Sequence, residues 1–264
     1  MGYQSPKLEK LFDKWAEKHA KKMSTAEPYS MKHEAPYGGF VRDGIINPDK
    51  WKIQEPKICF VMPEAGGYDD REKFPDGHDL AAEWNERGCF TKLMFKFAVW
   101  IQAIYDAMFD PVSYAKKPIL DQKDDLMRAI AVVNLKKSDG QKKPDFDNIN
   151  HFVHEDATEI RKELELIDPD IIICMNTFIS MVKARPAEDA EKPKRKREIV
   201  IYKDELKKGS KCAYRWEDRL VMAMWHPGAP AQYPLTMNNL HYYTVREFVR
   251  AGIASLGPFD WAEL

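Results

Sequence analysis

The stretch Lys57-Ile58-Cys59-Phe60-Val61-Met62-Pro63-Glu64-Ala65-Gly66-Gly67 decides the fold class of this chain. An apolar run of this length, ended by turn residues, is typical of a strand buried in a parallel sheet. Ligands of open α/β sheets bind just beyond the carboxyl ends of such strands. The polar residues that begin at Glu64 therefore mark the first candidate site.

Three further apolar runs have strand length: Ala129–Val133, Asp170–Met175 and Leu220–Met224. Apolar residues at helical spacing predict helices at Ser5–Met23, Phe90–Phe109 and His154–Ile167. Ile199–Tyr202 is predicted to be a strand or part of an inserted hairpin. Strands that alternate with helices are typical of parallel βαβ units. We therefore predict an α/β fold with three αβα layers and a central, mostly parallel sheet of four to five strands.

The composition is that of an ordinary globular protein, with 264 residues, 44% of them hydrophobic and 31% charged. We expect residues 1–50 to form an N-terminal helix and leading segment, packed on one domain that spans residues 51–264. No run reaches the roughly 20 apolar residues of a membrane span. The four cysteines are scattered, which predicts a reducing, cytoplasmic setting and neither a metal nor another cofactor. We expect a monomer.

Charge is nearly balanced over the whole chain, at −1, but it is unevenly distributed. Between Lys192 and Lys211 the chain carries nine basic and three acidic side chains, within a basic insertion at about 184–215. Such a run is either a solvated face of the protein or a surface that binds phosphates.

Each of the four predicted strands is followed by a polar residue: Glu64, Asn134, Asn176 and His226. Because the carboxyl ends of parallel strands meet at one edge of a sheet, we expect these side chains to converge. A single asparagine after a strand is more often a turn residue. The four together predict a binding or catalytic site.

The order and flanks of these strands resemble the uracil-DNA glycosylase superfamily. Four motifs carry the resemblance, which spans roughly residues 57–249: Pro63-Glu64-Ala65-Gly66-Gly67, Val132-Val133-Asn134-Leu135-Lys136-Lys137, Asp168-Pro169-Asp170-Ile171-Ile172-Ile173 and His226-Pro227-Gly228-Ala229-Pro230. The chain departs from the family at Pro63, where glycine is usual, and at Gly66, where proline is usual. The branch with a comparable Glu-Ala loop normally holds an iron–sulfur cluster, for which this chain lacks the cysteine spacing.

The resemblance implies an enzyme that hydrolyses the N-glycosidic bond of a flipped-out pyrimidine and leaves an abasic site. In this family arrangement, His226 donates a hydrogen bond to the pyrimidine O2 as negative charge develops there. Asn134 reads the Watson–Crick edge of the base, and Phe90 stacks on the base or belongs to the core. Glu64 activates the water, with Asp70 as its rival.

Three small residues of the first loop line the expected base pocket. Ala65 stands where the family has an aspartate that activates water, so this role passes to a neighbouring acid. Gly66 and Gly67 follow, and Gly67 replaces a tyrosine that excludes 5-methylated bases from uracil-specific members. The pocket is therefore expected to admit a 5-modified base, for example glucosylated hydroxymethylcytosine in phage DNA. The stretches Asp43–Ile46 and Asn134–Lys137 also look like the divergent bacterial group that removes such bases as an antiviral defence.

The resemblance makes DNA, duplex or single-stranded, the expected partner. Tyr233 or Leu235 lies in a loop that resembles the family's intercalating loop, and either side chain can fill the gap left by the flipped base. Basic side chains are expected to contact backbone phosphates: Lys137, Lys194, Arg195, Lys196 and Arg197.

Three alternatives remain open at this stage. One is a repair glycosylase for uracil or mismatched thymine, and another is a catalytically inactive DNA-binding module on the same fold. The third is a nucleotide or sugar-phosphate enzyme that uses Gly66-Gly67 as a phosphate cradle. The third lacks the longer glycine-rich motifs of phosphate-binding loops, and the nearby Asp69 and Asp70 would repel phosphate.

Overall fold

A computed structural model describes residues 4–25, 39–65, 77–89, 91–109, 122–139, 144–183, 198–203, 212–216 and 219–224. Its strands are β1 (Val41–Arg42), β2 (Gly44–Ile45), β3 (Ile58–Ala65), β4 (His78–Asp79), β5 (Ala131–Asp139), β6 (Ile171–Met175), β7 (Glu198–Lys203), β8 (Cys212–Trp216) and β9 (Arg219–Met224). Its helices are α1 (Pro6–Thr25), α2 (Pro48–Ile53), α3 (Leu80–Arg87), α4 (Lys92–Phe109), α5 (Lys123–Arg128), α6 (Phe146–Glu155), α7 (Ala157–Ile167) and α8 (Phe178–Lys183).

The main sheet contains seven of the described strands, in the order β2-β5-β3-β6-β9-β8-β7. The four strands predicted from the apolar runs form its centre, and they are all parallel. The prediction of four to five strands is wrong, because the two-residue strand β2 and the hairpin β7–β8 add three strands at the two edges, through antiparallel pairings. The expectation of a hairpin at Ile199–Tyr202 is confirmed.

Apolar side chains cover the central sheet on both faces. Alternate residues of β3, such as Phe60, pack in a cluster with α3 and α4, where Phe60 stacks on Phe97 at 5.1 Å between ring centroids. The intervening residues, such as Val61, pack in a second cluster with α1, α6 and α7. Because successive side chains of a strand point to opposite faces, helices lie on both sides of the sheet. This arrangement is a mixed α/β fold and is compatible with three αβα layers.

Helix α1 is part of the body of the protein, since Leu8, Phe12 and Trp15 are fully buried on its inner face. The single helix predicted at His154–Ile167 is wrong at its start, because α6 ends at Glu155 and α7 begins at Ala157. The break lies at Asp156, whose carboxylate accepts a 2.8 Å hydrogen bond from Nε2 of His19 in α1. The break therefore ties α1 to the α6–α7 junction. None of the described helices is long and apolar enough to cross a membrane.

Candidate functional site

The carboxyl ends of β3 and β6 form the topological switch point of the sheet. The chain leaves β3 for β5 on one side, whereas it leaves β6 for β9 on the other. Diverging connections open a crevice between two adjacent parallel strands, and ligands of open α/β sheets bind there. Glu64 lies at this point, one residue before the end of β3.

Glu64 forms a buried ion pair with Lys136. The two residues are register partners on β3 and β5, and Lys136 Nζ lies 3.1 Å from Glu64 Oε2. Their side chains are only 3% and 5% exposed. The ammonium group gives the carboxylate a partner of opposite charge in a place that water barely reaches. A carboxylate at the carboxyl end of this strand can orient a water molecule or stabilise a developing positive charge.

Ala65 ends β3 next to this pair, and it is 2% exposed. The register between β3 and β5 shifts after Glu64, so that Glu64 is opposite Lys136 but Ala65 is opposite Asp139. Such irregularities often occur beside functional sites, where they redirect a side chain. Glu64 is therefore the last residue of β3 in regular register with β5, and the irregularity begins at Ala65.

Asn134 lies inside β5, not at its end, so the predicted end of this strand at Val133 is wrong. Its backbone N–H and its Nδ2 both donate to Oδ2 of Asp43, at 2.7 and 2.9 Å. Asn134 is 0% exposed, and its carbonyl oxygen Oδ1 has no hydrogen-bond partner. The Nδ2 group of the amide is thus held by Asp43, whereas Oδ1, a hydrogen-bond acceptor, has no partner.

Lys137 lies in the interior, so the prediction that it contacts DNA is wrong. Its side chain is 0% exposed, and its Nζ donates to Oδ1 of Asp43 and lies 2.8 Å from Oε2 of Glu163. The ammonium group also lies over the rings of Phe12 and Trp15, at 5.6 and 5.2 Å from their centroids. A cation enclosed in this way neutralises buried carboxyl groups and cannot reach a phosphate on the surface.

Two acids and one base share this buried polar cluster, which consists of Asp43, Lys137 and Glu163. Burial on its own would lower the pKa of Lys137, but the two carboxyl groups raise it, so the lysine stays charged. Burial raises the pKa of Glu163 well above its ordinary value, and the neighbouring Asp43 adds to this effect against the pull of Lys137. The cluster is close to neutral when Glu163 is protonated.

Of the predicted site residues, the structure brings Glu64 and Asn134 to neighbouring strands. Asn134 is opposite Met62, two residues before Glu64 on the same strand. Two strand residues span about 7 Å, so the two functional groups lie in adjacent rows of the sheet. Asn176 is different: it is exposed, with a positive φ of 62°, and it serves as a turn residue after β6.

The other predicted site residues lie outside the described residues. They are Gly66, Gly67, Asp70, Phe90, Lys194, Arg195, Lys196, Arg197, His226, Tyr233 and Leu235. Strand β9 ends at Met224, opposite Met175 at the end of β6, and His226 follows two residues later in the chain.

Sequence patterns gave no individual role to Asp43, Lys136 or Glu163, although all three belong to the polar interior. Glu163 did carry a usable signal. It shares the helical spacing of Ile160, Leu164 and Ile167, which places it on the apolar face of α7. A charged residue on such a face indicates a buried partner of opposite charge.

Within the described part of the chain, no three His, Cys, Asp or Glu side chains come together in a group that could hold a metal ion. The chain matches no protein-family model, no curated protein and no solved structure.

Proposed function

We propose that this protein is a DNA glycosylase with the fold of the uracil-DNA glycosylase superfamily. The observation that carries the proposal is that two features lie on neighbouring strands beside the switch point of a parallel sheet. They are Glu64, which is buried in an ion pair with Lys136, and the amide oxygen of Asn134, which lacks a partner. An acid near the sugar can assist hydrolysis of a glycosidic bond, and an amide near the base can recognise its hydrogen-bonding edge. The reaction that we propose is the one implied by the resemblance of the sequence to this superfamily.

The reaction is the hydrolysis of the bond between C1′ of the deoxyribose and the base nitrogen. Glu64 orients a water molecule and stabilises the positive charge that develops on the sugar, while Lys136 pairs with its carboxylate and fixes its position. The base departs with the electron pair of the broken bond, and His226 donates a hydrogen bond to the pyrimidine O2, which takes up this charge. The water oxygen bonds to C1′, and its proton is lost to the carboxylate or to solvent.

The proposed substrate is a pyrimidine with a substituent at C5, in DNA. By the resemblance, glycine at position 67 stands where uracil-specific members carry a tyrosine, and the smaller residue would leave room beside C5. Glucosylated hydroxymethylcytosine in phage DNA is the example we favour, which would make the protein a defence enzyme. The basic stretch that includes Lys194 and Arg195 would hold the DNA backbone.

The direct test is a base-release assay on duplexes and single strands that carry uracil, mismatched thymine, 5-hydroxymethylcytosine or its glucosylated form. Alkaline cleavage of abasic sites reports release. We expect strand breaks at a 5-modified cytosine. Breaks only at uracil or thymine would replace the defence role by a repair role, and release from none of the substrates would refute the proposed enzyme.

Two variants test which residues take part in the chemical step. Glu64→Gln should lower the rate of base release by about 10²–10⁴-fold, as expected for loss of acid–base assistance. His226→Ala should lower it by about 10²–10³-fold, as for loss of one donor to a developing anion. Both variants should still bind DNA. Glu165→Gln is the matched control, because Glu165 is 46% exposed in a surface ion pair with Lys162. If Glu64→Gln retains full activity, Glu64 is not the water-activating acid.

A further inference from the structure

We propose that Asp43 is a positioning residue that fixes the amide of Asn134, so that Oδ1 is presented to the bound base as a hydrogen-bond acceptor. The site then selects bases that carry an N–H group on the edge facing Asn134. This inference rests on the proposed function, since it assigns the specificity of the same site.

The orientation of the Asn134 amide follows from the chemistry of its partner. Both carboxyl oxygens of Asp43 already accept hydrogen bonds, Oδ2 from the backbone N–H of Asn134 and Oδ1 from Lys137, so the NH₂ half of the amide must face Asp43. The Nδ2–Oδ2 distance of 2.9 Å is that of a good hydrogen bond. Rotating the amide by half a turn would bring two acceptors together in the protein interior. That arrangement costs the lost bond and adds repulsion between two buried oxygens.

Asp43 is itself held from several sides, so it is a rigid support. It is 0% exposed, it accepts from the Asn134 backbone at 2.7 Å, and it pairs with Lys137. It directly precedes the edge strand β2, where Gly44 has a φ of +102° and an added Cβ would lie 3.1–3.2 Å from atoms of Gln4 and Leu8. The backbone at this corner is therefore closely packed and confines the carboxylate to the edge of β5.

The fixed amide leaves Oδ1 of Asn134 buried and without a partner. An unsatisfied buried acceptor costs about 1–3 kcal/mol, which a ligand can recover by donating a hydrogen bond. Uracil and thymine offer the N3–H group, and cytosine and its 5-modified forms offer the 4-amino group. Pyrimidin-2-one offers only an unprotonated N3 on this edge. Because pyrimidin-2-one is also smaller than these bases, its rejection cannot be steric.

The test compares release of two bases by wild type and Asp43→Asn. One duplex carries the base that wild type releases fastest, and the other carries pyrimidin-2-one at the same position. The amide in Asp43→Asn can donate as well as accept, so Asn134 can turn over and present Nδ2 to the ligand. We expect the preference of kcat/KM for the N–H base to fall at least tenfold in Asp43→Asn. Comparing the two proteins cancels the different intrinsic lability of the two glycosidic bonds.

Glu163→Gln is the matched control, because it alters the same buried cluster without touching Asn134. It should keep the wild-type preference. A preference that survives in Asp43→Asn, or that falls equally in Glu163→Gln, overturns the positioning role. Where Asp43→Asn does not fold, the side-chain amide of Asn134 in wild type decides by NMR, after assignment with Asn134→Ala. Slow hydrogen exchange supports the fixed amide, and exchange as fast as that of an exposed asparagine overturns it.

Failure of the proposed function gives a different pattern. If wild type releases no base from any duplex, calorimetry with 1-methyluracil and 1-methylpyrimidin-2-one still tests the site, because the methyl group on N1 leaves an N3–H group in the first compound and an unprotonated N3 in the second. Preferential binding of 1-methyluracil that is lost in Asp43→Asn refutes the enzyme but supports the positioning role of Asp43. Equal binding, or no binding, of the two methylated bases overturns the positioning role as well.

Discussion

Replacing Lys137 by methionine removes the buried cation while keeping an unbranched side chain of similar length. The ammonium group has 0% exposed side-chain surface and lies against two carboxyl groups, so its removal leaves acids that cannot reach water. Breaking a buried ion pair from one side costs about 3–5 kcal/mol. In a protein of this size, that corresponds to a fall in Tm of roughly 6–20 °C.

The loss should depend on pH, because Glu163 can relieve it by taking up a proton. Burial and the neighbouring Asp43 already raise the pKa of Glu163 in the wild type, and removing Lys137 raises it further. A lower pH therefore favours the protonated form of Glu163 in Lys137→Met and reduces the repulsion between the two buried acids. We therefore expect a smaller loss of stability at pH 5 than at pH 8.

Urea unfolding followed by circular dichroism measures this difference at both pH values. Lys162→Met is the control, because Lys162 is 54% exposed and pairs with Glu165 on the surface, where an ion pair contributes about 0–1 kcal/mol. The double variant Lys137→Met/Glu163→Leu should recover part of the loss, since it removes the second acid along with the cation. A loss below about 1 kcal/mol in Lys137→Met at pH 8 would refute the buried cluster, because it lies in the range of a surface pair.

Two predictions concern acids whose pKa differs between the folded and unfolded chain. The raised pKa of Glu163 means that the folded protein holds this proton more tightly, so stability falls as pH rises above about 4.3, by at most about 1.4 kcal/mol per pH unit. Glu163→Gln should remove this component from a urea series between pH 4 and 9, and an unchanged slope would contradict the assignment. Burial raises the pKa of Asp156, but hydrogen bonds from His19 and Lys18 outweigh it and hold the pKa below its ordinary value. Stability from this group is present above about pH 4 and is lost as pH falls further, so Asp156→Asn should cost about 1–3 kcal/mol at pH 7 and flatten the acid limb of thermal melts. An acid limb identical to that of wild type would show that another carboxylate controls it.

The central strands could be predicted because buried parallel strands need continuous apolar runs. Ile171–Met175 is such a run, and all its residues are buried as expected. Strand β5 shows where this rule stops, since it continues from Asn134 through Lys136 and Lys137 to Asp139. These polar residues stay inside because their partners come from elsewhere in the chain, and a local pattern does not contain that information.

The same limit applies to the site. The position of Glu64 at the end of β3 follows from the run that precedes it, and its neighbour Asn134 follows from the parallel topology. Two other features of the site depend on residues that are far apart in the chain. Lys136 is buried against Glu64, which is 72 residues away, and the amide of Asn134 is held by Asp43, which is 91 residues away. The short strand β2 could not be predicted from the sequence either, because two residues are too few to show any periodicity.

The buried cluster of Asp43, Lys137 and Glu163 also constrains how this sequence can change over generations. Exchanging all three for apolar residues of similar volume would cost little, because the charges together return little more than their desolvation. Exchanging Glu163 alone leaves the ion pair of Asp43 and Lys137 intact, but exchanging either member of that pair leaves its partner buried without an opposite charge and gives a much less stable protein. Single point mutations therefore cannot easily lead from the polar to the apolar arrangement. Asp43 and Lys137, although far apart in the chain, should be retained or lost together among descendants of this protein.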